Sequence, residues 1–146
     1  MTRARDLAST ALNSAVDSIE YGYLDGVTSA IQTQFNNKAP FNLTVNAQSA
    51  SYTAVLADGN NTLVTISNAS ANTFTIPPNS SVAYPIGTVL NIAQTGAGQT
   101  TITQGLGVTI TSVGATASAP KTRVQYSAAS AVQTSANNWL VFGDIA

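Results

Sequence analysis

The chain has neither cysteine nor histidine. The first absence removes disulfides, thiolate chemistry and zinc ribbons, and leaves the redox compartment undetermined. The second removes the Ser-His-Asp triad, the Cys-His dyad and every imidazole metal site. Charge is nearly as scarce: Asp, Glu, Lys and Arg make up 8% of 146 residues, against roughly a quarter in ordinary soluble domains. A net charge of −1 gives no basic footprint for nucleic acid or anionic lipid. No apolar run approaches the ~20 residues that cross a bilayer, so membrane insertion is not expected. The opening MTRARDLASTALNSAV lacks the apolar core of a secretory signal.

Hydrophobic residues keep a near-normal share of 44%, so the missing charge has been replaced by Thr, Ser, Asn, Gln, Ala and Gly. A neutral polar surface without mutual repulsion is a hint of obligate assembly. The length suits one modest domain plus an appendage. Seven of the eleven charged residues lie in the first 38, where Leu12, Val16, Ile19 and Tyr23 recur at helical spacing. Ser29 with Gln32 forms a capping-box pattern, and Val27, Ile31 and Phe35 would share one face of a second short helix that Pro40 stops. These three are the candidate oligomerisation residues, with burial within one subunit as the equal alternative.

From Phe41 the period changes from about 3.6 to 2. Phe41, Leu43 and Val45 alternate with polar residues, as do Tyr52, Ala54 and Leu56, and further strands are expected at 63–67, 72–76, 88–95, 100–104, 107–112, 122–128 and 138–143. In TFTIPPNSSVAYPIGT (73–88), Phe74 and Ile76 should face inward, and Pro77-Pro78 must end the strand. Gly96-Ala97-Gly98 and Gly105-Leu106-Gly107 read as hairpin turns, since neither opens a helix or carries a phosphate-binding Lys. The expected fold is mainly β: an antiparallel sandwich or small barrel over 41–146, preceded by a short helical segment over 1–40.

Chemistry is hard to find. The β-zone offers two carboxylates, Asp58 in a turn and Asp144 near the end, a poor basis for the facing pair a glycosidase needs. No catalytic residue, metal or cofactor is expected, and no enzyme. Lys121 and Arg123 read as solvated strand-edge charges sooner than an anion site. Asn-x-Ser/Thr occurs at Asn42, Asn60, Asn68 and Asn79, as expected by chance in this composition. Trp139, the single tryptophan, alternates with Val141 and suggests core or interface above a stacking platform. Tyr84, between Ala83 and Pro85, is the other aromatic to weigh as a receptor contact, against a role in packing the turn.

EYGYLDGVTSAIQTQFNNKAP (20–40) resembles a segment that joins or starts modules in tail-fibre proteins of marine, cyanophage-type bacteriophages. The chain from Tyr52 through Thr103, with the Gln-Tyr-Ser at 125–127 and Trp-Leu-Val-Phe-Gly-Asp at 139–144, is similar to a β-rich module of the same proteins. The resemblance implies a virion structural protein, a trimer whose helical start attaches to other particle proteins and whose β-module faces outward. It leaves contact with a host-surface glycan or protein open, because it carries no receptor-binding motif. Tail fibres are usually longer and built of repeats, whereas one module without an internal repeat is read here. A short fibre, a fibre-like head appendage or a capsid decoration protein fits this length better.

Overall fold

The computed structural model divides the chain into two compact units, Met1–Pro40 and Phe41–Ala146, and describes residues 33, 42–113 and 119–146. Val27, Ile31 and Phe35 lie outside the described residues. The β-unit is two sheets on one core. Strands β1 (Thr44–Gln48), β3 (Thr62–Ile66) and β5 (Val89–Gln94) belong to a six-stranded sheet. Strands β2 (Tyr52–Thr53), β4 (Asn72–Ile76) and β6 (Thr100–Gln104) form a three-stranded one. The chain therefore crosses from sheet to sheet at every connection through β6. It then adds β7 (Thr109–Ser112) and the hairpin β8 (Ala128–Ser135) and β9 (Asn138–Gly143) to the larger sheet, in the order β1-β3-β5-β8-β9-β7.

This corrects the antiparallel expectation. Five of the seven strand pairings are parallel, and only β5-β8 and β8-β9 are antiparallel. A parallel neighbour needs a long crossover, usually a helix. Here the crossover from β3 to β5 is itself a strand of the other sheet, so local alternation looks like a sandwich while the pairing is that of a solenoid. Val45 pairs Leu63 and Leu63 pairs Asn91, which are steps of 18 and 28 residues. Phe74 pairs Ile102, again 28. Thr73-Phe74-Thr75 thus lies on Thr101-Ile102-Thr103, a degenerate repeat that the sequence reading did not find.

Alternation decides the core. Val64, Ile66, Leu90 and Ile92 from the large sheet face Phe74, Ile76 and Ile102 from the small one, all fully buried. Each such side chain contributes about 1.5–3 kcal/mol by leaving water. Phe74 and Ile76 point inward as expected, and β4 ends at Ile76 before Pro77. Strand β1 is inverted relative to expectation. Its apolar Val45, and Leu43 just before it, are exposed, while Asn46 and Gln48 share the parity of buried Val64 and Ile66. The parallel register with β3 imposes that parity, since a one-residue slip would exchange the faces. Strand β8 occupies 128–135 rather than 122–128, an Ala- and Ser-rich stretch that offers little strand propensity.

The two Gly-rich turns are corners between sheets, not hairpins. Residues 95–98 sit directly on 66–70 of the preceding coil: Gly96 N donates to Ile66 O at 3.1 Å and Gly98 N to Asn68 O at 2.8 Å. Below them, Ser67 N reaches Gln48 O at 2.8 Å, and above them Tyr126 N reaches Gln94 O at 2.7 Å. A Cβ on Gly98 would stand 2.0 Å from Ser70 O, and one on Gly96 2.2 Å from Asn68 N. The corner interior is polar but satisfied: Thr100 Oγ1 donates to Asn72 Oδ1 at 2.8 Å, and Thr122 Oγ1 to Gln94 Oε1.

Gly98→Ala should therefore lower stability by about 2–3 kcal/mol, because a backbone carbonyl has to move rather than a flexible side chain. Gly87→Ala, at φ 90° with nothing within 4 Å, carries only conformational strain, on the order of 1 kcal/mol. Urea unfolding of the two variants checks this; equal midpoints would mean that the corners do not touch as tightly as described.

Candidate functional site

The two aromatics weighed as receptor contacts are buried, Tyr84 at 3% and Trp139 at 2% exposure. Their rings meet edge to face, centroids 5.4 Å apart. Tyr84 Oη donates to Val55 O at 2.9 Å, while Trp139 Nε1 finds no acceptor among the described residues. The core and turn-packing reading is the one this geometry gives: the pair clamps the connection 77–88 onto the interior, and neither ring offers surface to a ligand. Burial, with smaller contributions from Asp58 and Tyr52, pushes the Tyr84 hydroxyl far above the ordinary tyrosine value.

Polar chemistry gathers instead at the first coil. Asp58, 2% exposed, lies in a 3-10 turn (Leu56–Gly59). Its carboxylate accepts from Asn46 Nδ2 at 2.8 Å, Tyr52 Oη at 2.9 Å and Val55 N at 2.8 Å. Gln48 Nε2 extends the set to Asn46 Oδ1 at 2.6 Å. Three donors on one carboxylate replace the cation that a buried charge otherwise requires. Together these residues make a hydrogen-bonded layer over the end of the core, as the terminal unit of a stacked repeat needs. Burial and then the bond to Asp58 raise the Tyr52 hydroxyl, and the Asn46 bond partly opposes them.

At the other end, Arg123 Nε pairs with Asp144 Oδ1 at 2.8 Å, and Ser127 Oγ donates to Asp144 Oδ2 at 2.6 Å. Both charged side chains are largely exposed, so the ion pair itself is worth at most about 1 kcal/mol. Asp58 and Asp144 are thus each engaged by separate partners. Among the described residues no three His, Cys, Asp or Glu side chains gather as a metal site would.

What remains is surface, and register sorts it into two faces. Outward on the small sheet, Thr53 pairs Thr75, which pairs Thr103, and Thr73 pairs Thr101. Thr75 and Thr103 share a hydroxyl hydrogen bond of 3.0 Å. Outward on the large sheet, one row runs Val45, Leu63, Asn91, Ser130, Phe142 and the next runs Val89, Val132, Leu140. Between the flanking apolar side chains lies a groove of about 400 Å³, floored by Asn91, Ser130 and Ala128 and walled by Leu43, Leu63 and Phe142. None of these side chains is charged. The sequence reading missed this face because it assigned Leu43 and Val45 to the core.

Compared with protein-family models, with curated proteins and with solved structures, the chain matches none of them.

Both raised tyrosines bind their protons more tightly in the folded chain than in the unfolded one. Their contribution is complete below about pH 10 and is lost as pH rises beyond it. Tyr84→Phe keeps the ring against Trp139 but removes both the ionisation and the Val55 bond. It should cost about 1 kcal/mol near pH 8 and make the alkaline decline in unfolding midpoint shallower. A decline as steep as the parent's would assign the alkaline sensitivity elsewhere.

Proposed function

We propose that the protein is a non-enzymatic structural component of a bacteriophage particle, a short tail fibre or fibre-like appendage that assembles as a homotrimer and lies at the particle surface. The observation that carries this reading is the character of the β-unit's two outward faces, one of threonine and one apolar, without an ionic side chain in the rows that form them. Such faces suit permanent packing against other proteins, because no charge has to be desolvated. The resemblance of 20–40 and of the chain from Tyr52 onward to marine phage fibre proteins supports the same assignment. Its partners are then further copies of itself and other virion proteins. The second reading, a decoration protein on the capsid, uses the same faces and differs in location.

A role in host contact moves to a different aromatic. Tyr126 is 76% exposed and held at φ 71°, a conformation that costs a bulky residue about 1–2 kcal/mol. Its amide is tied to the stacked corner by the bond to Gln94 O. Strain at an exposed aromatic fits a contact with a glycan or protein better than either buried ring does.

Tagged protein seen by electron microscopy on purified particles tests the assignment. Label on the tail supports a fibre, and label on the head supports a decoration protein. Absence from purified particles would overturn the virion reading. Tyr126→Ala particles should adsorb to the host at least about tenfold more slowly if that residue is a contact.

A further inference from the structure

We infer that the outward face of the six-stranded sheet is a self-association surface, covered by a second copy of this chain. The inference rests on the assembly part of the proposed function and names its surface. Phe142 is 49% exposed and Val45 61%, at opposite ends of one cross-strand row, with Val89 and Leu140 half-exposed in the row beside it and Leu43 half-exposed just before β1. These five residues leave roughly 450 Å² exposed on one face, within the ~300–600 Å² of the largest apolar patch on a typical monomer, a size that is often functional. A standard interface buries about 800 Å² per partner, of which some 60% is apolar, or ~480 Å². The face therefore carries about the apolar area that one side of a stable interface between like chains needs.

Its shape and polarity point to the same occupant. Leu43, Leu63 and Phe142 line the groove of about 400 Å³, and an apolar side chain of a neighbour, such as its Phe142, is the complement the inference places there. The polar pair on the floor is partly satisfied: Ser130 Oγ donates to Asn91 Oδ1 at 2.9 Å, and Asn91 Nδ2 to Thr62 O at 3.4 Å. A partner that covers them leaves one Asn91 N–H to be matched by an acceptor of its own. No charged side chain in these rows selects an acidic or basic partner, which leaves a neutral apolar surface as complement, and this chain supplies one.

Sedimentation velocity of the full chain, from about 1 to about 100 µM, compares the parent with Leu140→Asp, Phe142→Asp and, on the threonine face, Thr103→Asp. The two large-sheet variants should associate at least tenfold more weakly, while Thr103→Asp behaves as the parent. Circular dichroism establishes that each variant is folded. Because the chain contains no cysteine, Leu140→Cys gives an independent measurement: maleimide labelling should slow at least tenfold between dilute and concentrated protein. An oligomer that survives both Asp substitutions and leaves Cys-substituted 140 equally reactive overturns the surface while sparing the particle assignment, which labelling on virions decides. A parent that stays monomeric throughout overturns the inference together with the proposed trimer.

Discussion

Corner stacked on corner is the contact from which the rest of the β-unit follows. Residues 66–70 and 94–98 approach so closely that the outer corner has no room for a Cβ at Gly96 or Gly98. Backbone hydrogen bonds at the corner fix the height of each coil on the last, and the strands leaving it have no freedom to slip. Once β3 and β5 are locked in parallel register, parity alone sends Val64, Leu90 and Ile92 inward and Leu63, Val89 and Asn91 outward. Both faces are consequences of that lock, as is the opposition of Thr75 to Thr103 28 residues later.

The core ends at its first coil, and an ionic solution is available only in part to a chain with so little charge. The first coil closes the core with Asn46, Gln48, Tyr52 and Asp58, a layer in which hydrogen-bond donors do what counter-ions do elsewhere. The corner interior repeats the device with Asn72, Thr100, Thr122 and Gln94. Amides and hydroxyls can be satisfied by backbone groups at fixed distances along a stack, whereas ion pairs in the same places would require two desolvated charges each. The scarcity of charge is therefore compatible with a well-tied interior.

Much of the strand content was legible because alternation is local. Residues 72–76, 100–104 and 138–143 have the bounds their alternation predicts, and the inward direction of Phe74 and Ile76 follows from period 2 alone. Pairing was not legible, because a parallel partner 28 residues away leaves no mark on its immediate neighbours. Gly96-Ala97-Gly98 shows the difficulty: the composition of a hairpin turn and that of a stacked corner are the same, and only the residue beneath, Ser70, distinguishes them. Comparing the chain with itself at a 28-residue offset, where Ala69, Thr73 and Thr75 meet Ala97, Thr101 and Thr103, would have exposed the coil. The choice between packing and contact at the two aromatics was open in the sequence for a related reason. Exposure of Tyr84 depends on where the long connection 77–88 folds back, and it folds onto Trp139.

The inverted strand β1 joins the interior to the surface. Strand β1 turns Asn46 and Gln48 inward, and in a strand of period 2 that choice sends the alternate residues out. Asn46 and Gln48 form the end layer because Leu43 and Val45 do not, so the apolar pair is left on the face of the large sheet. Sealing the stack at its end thus adds apolar side chains to its side, in a row that runs on through Leu63 and the polar Asn91 and Ser130 to Phe142. A chain with abundant Lys and Glu would interrupt such a row with charge, as exposed sheet faces and edges commonly do. From Gly59 to Pro120 this one has none, and no charged side chain stands in the rows of Val45 to Phe142 and Val89 to Leu140 to break them up.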